Sequence, residues 1–279
     1  MTRIYIDTNV FLDFYQSATD GMAIFQELLA RADCIVVPEQ TVREFRRNRA
    51  ARLSKLAKLV EKSTNINVHT TAIVREMPAF KEWEAARDAT KKHAKAIETQ
   101  LRNWAKDETN DPVYQQFVKL YVQGTTMSTP ADALAKAQQR KLLGDPPTSP
   151  DKHTVGDEII WETLLALCKD DLIVVSRDRT FLDNESILRT EFNVEGKRRL
   201  LVVTDSLTEA LKLVGKPSKE ITEAETEIKQ EQAAGRAGTC NCPEGPDPSG
   251  WMTNGRFLMV YCKRCYKLLA SQEDPEVND

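Results

Sequence analysis

Four carboxylates stand where an α/β fold would gather them. Asp7 follows the apolar run Ile4-Tyr5-Ile6, and Asp178 follows the run Leu172 to Ser176. Glu44 lies a helical turn or two beyond Cys34 to Val37, and Asp157 opens the helical pattern Gly156-Asp157-Glu158-Ile159-Ile160-Trp161. In open α/β sheets ligands bind beyond the carboxyl ends of the strands, so all four side chains can reach one rim. Like charges crowded there raise one another's pKa and stay partly protonated unless a cation joins them. Oxygen-only ligands select hard ions, Mg²⁺ or Mn²⁺, and one or two such ions activate water and stabilise in-line displacement at a phosphodiester. Singly, each residue has a plainer use: a helix cap or turn for Asp7 and Asp178, a dipole partner for Asp157, a solvated helix position for Glu44. Their joint order is what points to hydrolysis of phosphodiesters.

A second constellation lies near the C-terminus. Cys240-Asn241-Cys242, nineteen residues, then Cys262-Lys263-Arg264-Cys265 is a tetrathiolate spacing. Four thiolates suit one tetrahedral, structural Zn²⁺, which would supply most of the stability of so short a segment. The first pair is CxC instead of CxxC, and redox pairing is the alternative. Cys34 and Cys168 sit alone in apolar runs and read as buried, reduced thiols.

A basic stretch accompanies Glu44. From Val42 to Val60 there are Arg43, Arg46, Arg47, Arg49, Arg52, Lys55 and Lys58, a track for phosphates or a solvated helix face. Arg177, Lys152 and His153 are further candidates for phosphate contact. Elsewhere the 279-residue chain is not basic: 39 Lys and Arg against 42 Asp and Glu give a net charge of −3. Nucleic-acid contact must therefore come from a local patch. No apolar run is long enough to span a bilayer, and the N-terminus enters a strand at once, so a soluble cytoplasmic protein without a membrane partner is expected. There is no P-loop, GxGxxG, GxSxG or HExxH, and His69, His93 and His153 are isolated. A phosphatase is disfavoured because Asp7-Thr8-Asn9 lacks the second Asp of a DxD nucleophile.

The positioning elements are four near-continuous apolar runs: Ile4–Ile6, Cys34–Val37, Leu172–Ser176 and Leu200–Thr204. Runs without alternation suit strands buried on both faces of a parallel sheet. Helical patterns cover Met22–Arg31, Thr41–Lys62, Lys81–Asp107, Val113–Gln123, Ala131–Leu142 and Asp157–Lys169, and Asp205-Ser206 caps another to Val214. Trp83, Thr90, Ala94, Ile97, Leu101 and Trp104 near heptad spacing read as helix-on-helix core, and Pro78, Pro112 and Pro130 fall at breaks. The domains expected are 1–214 with a helical insertion at about 63–150, a charged linker helix and hinge at 215–238, the cysteine module at 239–270, and an acidic tail at 271–279.

Asp7-Thr8-Asn9 after a strand, Glu44 in Val42-Arg43-Glu44-Phe45, Gly156-Asp157 opening a helix and Ser176-Arg177-Asp178 after a strand together resemble a PIN-domain nuclease. The long insertion is similar to the PIN-like branch with inserted helices, and the cysteine module resembles a zinc ribbon. The resemblance covers residues 1 to about 214. It implies a Rossmann-type parallel sheet, Mg²⁺ or Mn²⁺ held by Asp7, Glu44, Asp157 and Asp178, and endonucleolytic hydrolysis of RNA, with single-stranded DNA as a further substrate. Thr8, Asn9 and Ser176 match its polar supports, and Asp183 is an extra acid. Arg43, Arg46, Arg47, Arg49 and Arg177 are the nucleic-acid contacts expected. Homodimerisation and a protein partner for the ribbon complete the expected partners, and a toxin or defence role enters by family analogy alone. The reading from another class is an inactive PIN-like scaffold that binds RNA or protein.

Overall fold

A computed structural model describes residues 1–15, 21–64, 71–149, 153–194 and 197–226, and the backbone of three further strands between 246 and 273. Five strands form a wholly parallel sheet: β1 (Thr2–Ile6), β2 (Ile35–Pro38), β3 (Thr125–Met127), β4 (Asp171–Val175) and β5 (Leu200–Thr204). Their order is β3-β2-β1-β4-β5. The chain thus winds outward from β1 to β3, then crosses back to lay β4 on the other side of β1. The β1/β4 seam is therefore a topological switch point, where strand ends leave a crevice for ligands. Ile4, Tyr5, Ile35, Val36, Ile173 and Val174 are all essentially inaccessible, as strands covered on both faces require.

Two helices, α1 (Thr8–Asp13) and α2 (Gly21–Leu29), join β1 to β2. The crossover from β2 to β3 holds α3 (Glu39–Ser63), α4 (Ala72–Arg75), α5 (Pro78–Lys106) and α6 (Pro112–Gln123). α7 (Ala133–Leu143) and α8 (Gly156–Leu167) lead to β4, α9 (Arg179–Leu182) and α10 (Glu185–Phe192) to β5, and α11 (Leu207–Leu213) follows. Local chemistry sets the ends. Pro78 and Pro112 begin α5 and α6, where a missing N–H costs nothing, so they start helices as well as separating them. Gly144 closes α7 at φ 77°, a left-handed cap that a side chain would strain. Ser206 caps α11 by accepting from the Glu209 N–H, as its sequence suggests.

One face of the sheet packs Tyr5, Val174 and Leu172 against Trp161, Phe181, Leu188 and Phe192. A second aromatic group joins α1, α2, α3 and α6: Phe45 stacks on Phe117 at 4.2 Å and Phe11 meets Phe117 edge-on at 5.0 Å. Both lone cysteines, Cys34 and Cys168, are buried free thiols.

The structure corrects the expected organisation in three places. The stretch 63–150 is not one helical insertion, because Thr125–Met127 returns to the sheet and pairs with Val36–Pro38 as its edge strand. Three residues at an edge carry too little apolar pattern to announce themselves. On α5 the buried stripe runs through Ala94, Glu98 and Leu101, while Thr90 and Ile97 are exposed. Glu98 replaces the expected Ile97 because Lys95 and Arg102 neutralise it, at 2.8 and 2.6 Å. The short helices α1, α9 and α10 were not marked by the sequence pattern.

Residues divide into two compact units, Met1–Thr222 and Glu223–Asp279. Residues 219–226 are helical, within the expected linker helix. In the second unit β6 (Pro246–Thr253), β7 (Phe257–Cys262) and β8 (Leu268–Glu273) form an antiparallel sheet in that order. Cys262 ends β7, but Cys240, Cys242, Cys265 and the Cys262 side chain lie outside the described residues. No helix among the described residues is long and apolar enough to cross a membrane.

Candidate active site

The site grows from the β1/β4 seam. Ile6 lies opposite Val175, and the Asp7 N–H donates to the Val175 carbonyl at 2.8 Å, which carries the pairing one residue past the strand. Asp7 occupies the cap position of α1, yet its carboxylate caps nothing. It turns instead to the neighbouring strand end and accepts from Ser176 Oγ at 2.7 Å. Ser176 Oγ in turn accepts from the Asp178 N–H at 3.0 Å, so one hydroxyl braces both acids. Asp178 does serve as a cap: its Oδ1 accepts from the Thr180 N–H and hydroxyl at 3.0 and 2.9 Å.

Two helices bring the other acids. Glu44, in the second turn of α3, is buried and accepts from Gln40 Nε2 at 3.3 Å, with Arg47 at 3.9 Å. Asp157 is in the first turn of α8, where negative charge is favoured. Gly156 sets the fit between them, since a Cβ there would lie 1.6 Å from Glu44 Oε1. Only a residue without a side chain lets the Glu44 carboxylate cross the start of α8.

These elements enclose a polar cavity of about 400 Å³ lined by Asn9, Glu44, Arg47, Asn48, Thr154, Asp157 and Asp178. Asp7 is 2 % exposed and outside the lining, but it feels the whole cluster. Burial first, then Asp157, Glu44 and Asp178, push its pKa up to about 7 against the pull of the Ser176 hydrogen bond. Tyr5, two residues earlier on the same strand, is also raised, by burial and then by Asp7, Glu44 and Asp157. Asp7 thus shares one electrostatic field with Asp157, Glu44 and Asp178.

The donor chemistry fits a hard divalent cation: oxygen ligands only, crowded negative charge, and a buried Thr8 hydroxyl without a partner among the described residues. Among the described residues no three His, Cys, Asp or Glu side chains are gathered closely enough to hold a metal ion as they stand.

Of the supporting residues, Asn9 lines the cavity, Thr8 is buried at the start of α1, and Ser176 bonds Asp7. Asp183 ends α9 and is not part of the lining. The arginines divide. Arg47 is in the lining, with a side chain 54 % exposed. Arg43 is held by Glu39 at 2.7 Å, Arg46 by Glu108 at 3.0 and 2.5 Å, and Arg177 by Asp13 at 2.5 Å. Arg49 corrects the sequence reading. It is 3 % exposed and bonded to Asp111 at 2.9 Å and to the Trp104 carbonyl at 2.8 Å, an interior tie and not a phosphate contact. Gln40, Asn48 and Thr154 were missed. Gln40 and Asn48 sit four residues either side of Glu44, a spacing that puts them on its helix face.

No curated protein and no solved structure matches the chain significantly. A family model for the PIN domain matches residues 4–181, well over half of the chain and a span containing all four carboxylates, and the chain belongs to the PIN-domain family.

Proposed function

We propose that this protein is a divalent-metal-dependent endoribonuclease whose site is Asp7, Glu44, Asp157 and Asp178. The observation that carries this reading is the group of four coupled carboxylates at the switch point, with Asp7 driven up to about 7 by burial and by its acidic neighbours. Membership of a family of nucleases supports it. Mg²⁺ or Mn²⁺ held by these acids would supply a Lewis acid and a nucleophile at neutral pH. The chain's own residues do the rest. Ser176 orients Asp7, and Gln40 fixes Glu44. Arg47, Asn48, Asn9 and Thr154 line the cavity with donors for the oxygens of a phosphodiester. The expected products are a 5′-phosphate and a 3′-hydroxyl.

The test is cleavage of labelled single-stranded RNA, hairpin RNA and single-stranded DNA with Mn²⁺, Mg²⁺ or EDTA, beside Asp7→Asn. Metal-dependent cutting that Asp7→Asn loses is expected, and cutting retained in Asp7→Asn would sink the assignment. One observation favours the second reading, an inactive scaffold that binds RNA or protein: the acids do not close into a metal-holding group as they stand. Absence of metal-dependent cutting on every substrate, with RNA still bound, would select it. The proposal extends to one Zn²⁺ per chain on Cys240, Cys242, Cys262 and Cys265. Elemental analysis of folded, chelator-washed protein checks that count.

A further inference from the structure

Arg43, Arg46 and Arg177 are engaged by acids of the fold, but another set of cations is not. α3 carries eight Lys and Arg against three Glu, and α5 seven against four acids. That is an excess of eight positive charges on two helices of a chain whose net charge is −3. The helices pack together, with the start of α3 meeting the end of α5: Arg46 reaches Glu108, and Arg49 reaches the Trp104 carbonyl. They run antiparallel as one arm. Lys55, Lys58 and Lys62 of α3 and Lys91, Lys92 and Lys106 of α5 are exposed and make no ion pair among the described residues. Folding does not use this charge. It costs self-repulsion, which a polyanion would relieve.

The arm begins at the site. Glu44, Arg47 and Asn48 belong to α3, and at about 1.5 Å per residue the helix runs about 22 Å beyond Asn48 to Ser63. Lysines at 55, 58 and 62 recur at helical spacing along that length. Lysine is a mobile point charge, suited to a phosphate backbone of any sequence and lacking the fork that reads carboxylates or guanine edges. We propose that the α3–α5 arm is the track for a single-stranded RNA leaving the cavity, so that the protein grips several nucleotides on one side of the bond it cuts. This rests on the nuclease reading for what the cavity does, but the grip is measured by binding alone.

The experiment uses the full chain with labelled single-stranded RNA, one oligonucleotide spanning only the cavity and one long enough to cover the arm. Two variants are compared with wild type: Lys55→Glu/Lys58→Glu/Lys62→Glu, and Lys91→Glu/Lys92→Glu. Affinity for the long RNA should fall by on the order of tenfold or more. The slope of log affinity on log salt should flatten by about 2 in the triple variant, at roughly 0.7 per lost phosphate contact. Turnover of the short RNA should stay at the wild-type level. Wild-type affinity and salt slope in both variants would overturn the arm as a track. So would equal competition by polyglutamate, which would mark the arm as a protein-docking surface. Wild type that binds long RNA through these lysines but cuts nothing would overturn the nuclease reading and leave the track standing.

Discussion

Two aspartates are buried to the same depth and treated in opposite ways. Asp111 is inaccessible, and the fold surrounds it with donors. Its Oδ1 accepts from the Val113 and Tyr114 N–H groups at 3.0 and 3.2 Å, and its Oδ2 from Arg49 at 2.9 Å and from the Tyr15 hydroxyl. Among the described residues Asp7 has one side-chain donor, Ser176, and three carboxylates for neighbours. A buried carboxylate with a cation and several N–H donors is part of the architecture. One held among like charges costs stability in the free protein, and a fold keeps it where something else is meant to bind. Arg49 and Glu44 lie five residues apart on one helix, so the acid that Arg49 ties down anchors the helix that carries Glu44 to the cavity.

The contrast can be broken at either end. The largest effect expected is on Asp7→Asn: cleavage should fall on the order of 10³-fold, about 4 kcal/mol of barrier, while thermal melting of the metal-free protein at neutral pH rises. A drop in melting temperature would place Asp7 with Asp111 as a structural acid. Asp111→Ala should do the reverse, costing about 3–5 kcal/mol in urea unfolding because it strands Arg49 in the interior. A loss below about 1 kcal/mol would show that water reaches Arg49.

Gly156→Ala tests the fit between the two helix-borne acids. The new methyl displaces the Glu44 carboxylate, so activity should fall about 10- to 100-fold for a cost of about 1–3 kcal/mol in stability. Full activity would mean that Glu44 is not needed where it stands. The pH profile of stability sharpens the comparison further. The folded pKa of Asp7 is raised from 3.8 to about 7, so the native state holds the proton over that window and the unfolded state does not. Stability should therefore decline as pH rises from about 4 to 7 and then level off, and Asp7→Asn should remove that decline. A wild-type profile with the same shape in Asp7→Asn would assign the slope to other groups. Smallest is Ser176→Ala, which removes a single hydrogen bond worth about 0.5–1.5 kcal/mol. It should move the pH at which the Asp7-dependent decline levels off upward, since the bond to Ser176 holds the folded pKa down.

Much of the frame was readable in residue order. Apolar runs without alternation announced four of the five parallel strands, and the helices with long amphipathic stripes began and ended within a few residues of their patterns. Asp7 was legible because it directly follows a strand, Asp178 because it lies three residues beyond one, and Gly156-Asp157 because it opens a helix. β3 was hidden, being three residues at an edge, and so were α1, α9 and α10, each too short to complete a periodic stripe.

What sequence alone determined here is the inventory: which carboxylates follow strands, which cations share a helix, and where apolar runs must be covered. Only the tertiary structure decided how each charge is used. Arg47 and Arg49 are two residues apart on α3, and nothing in their local pattern separates a cavity wall from an interior tie. The difference arises because α6 brings Asp111 to Arg49, while α8 lays Gly156 against Glu44 beside Arg47. A charge in a protein takes its role from the partner and the water it is left with, and both are set by segments far away in the chain.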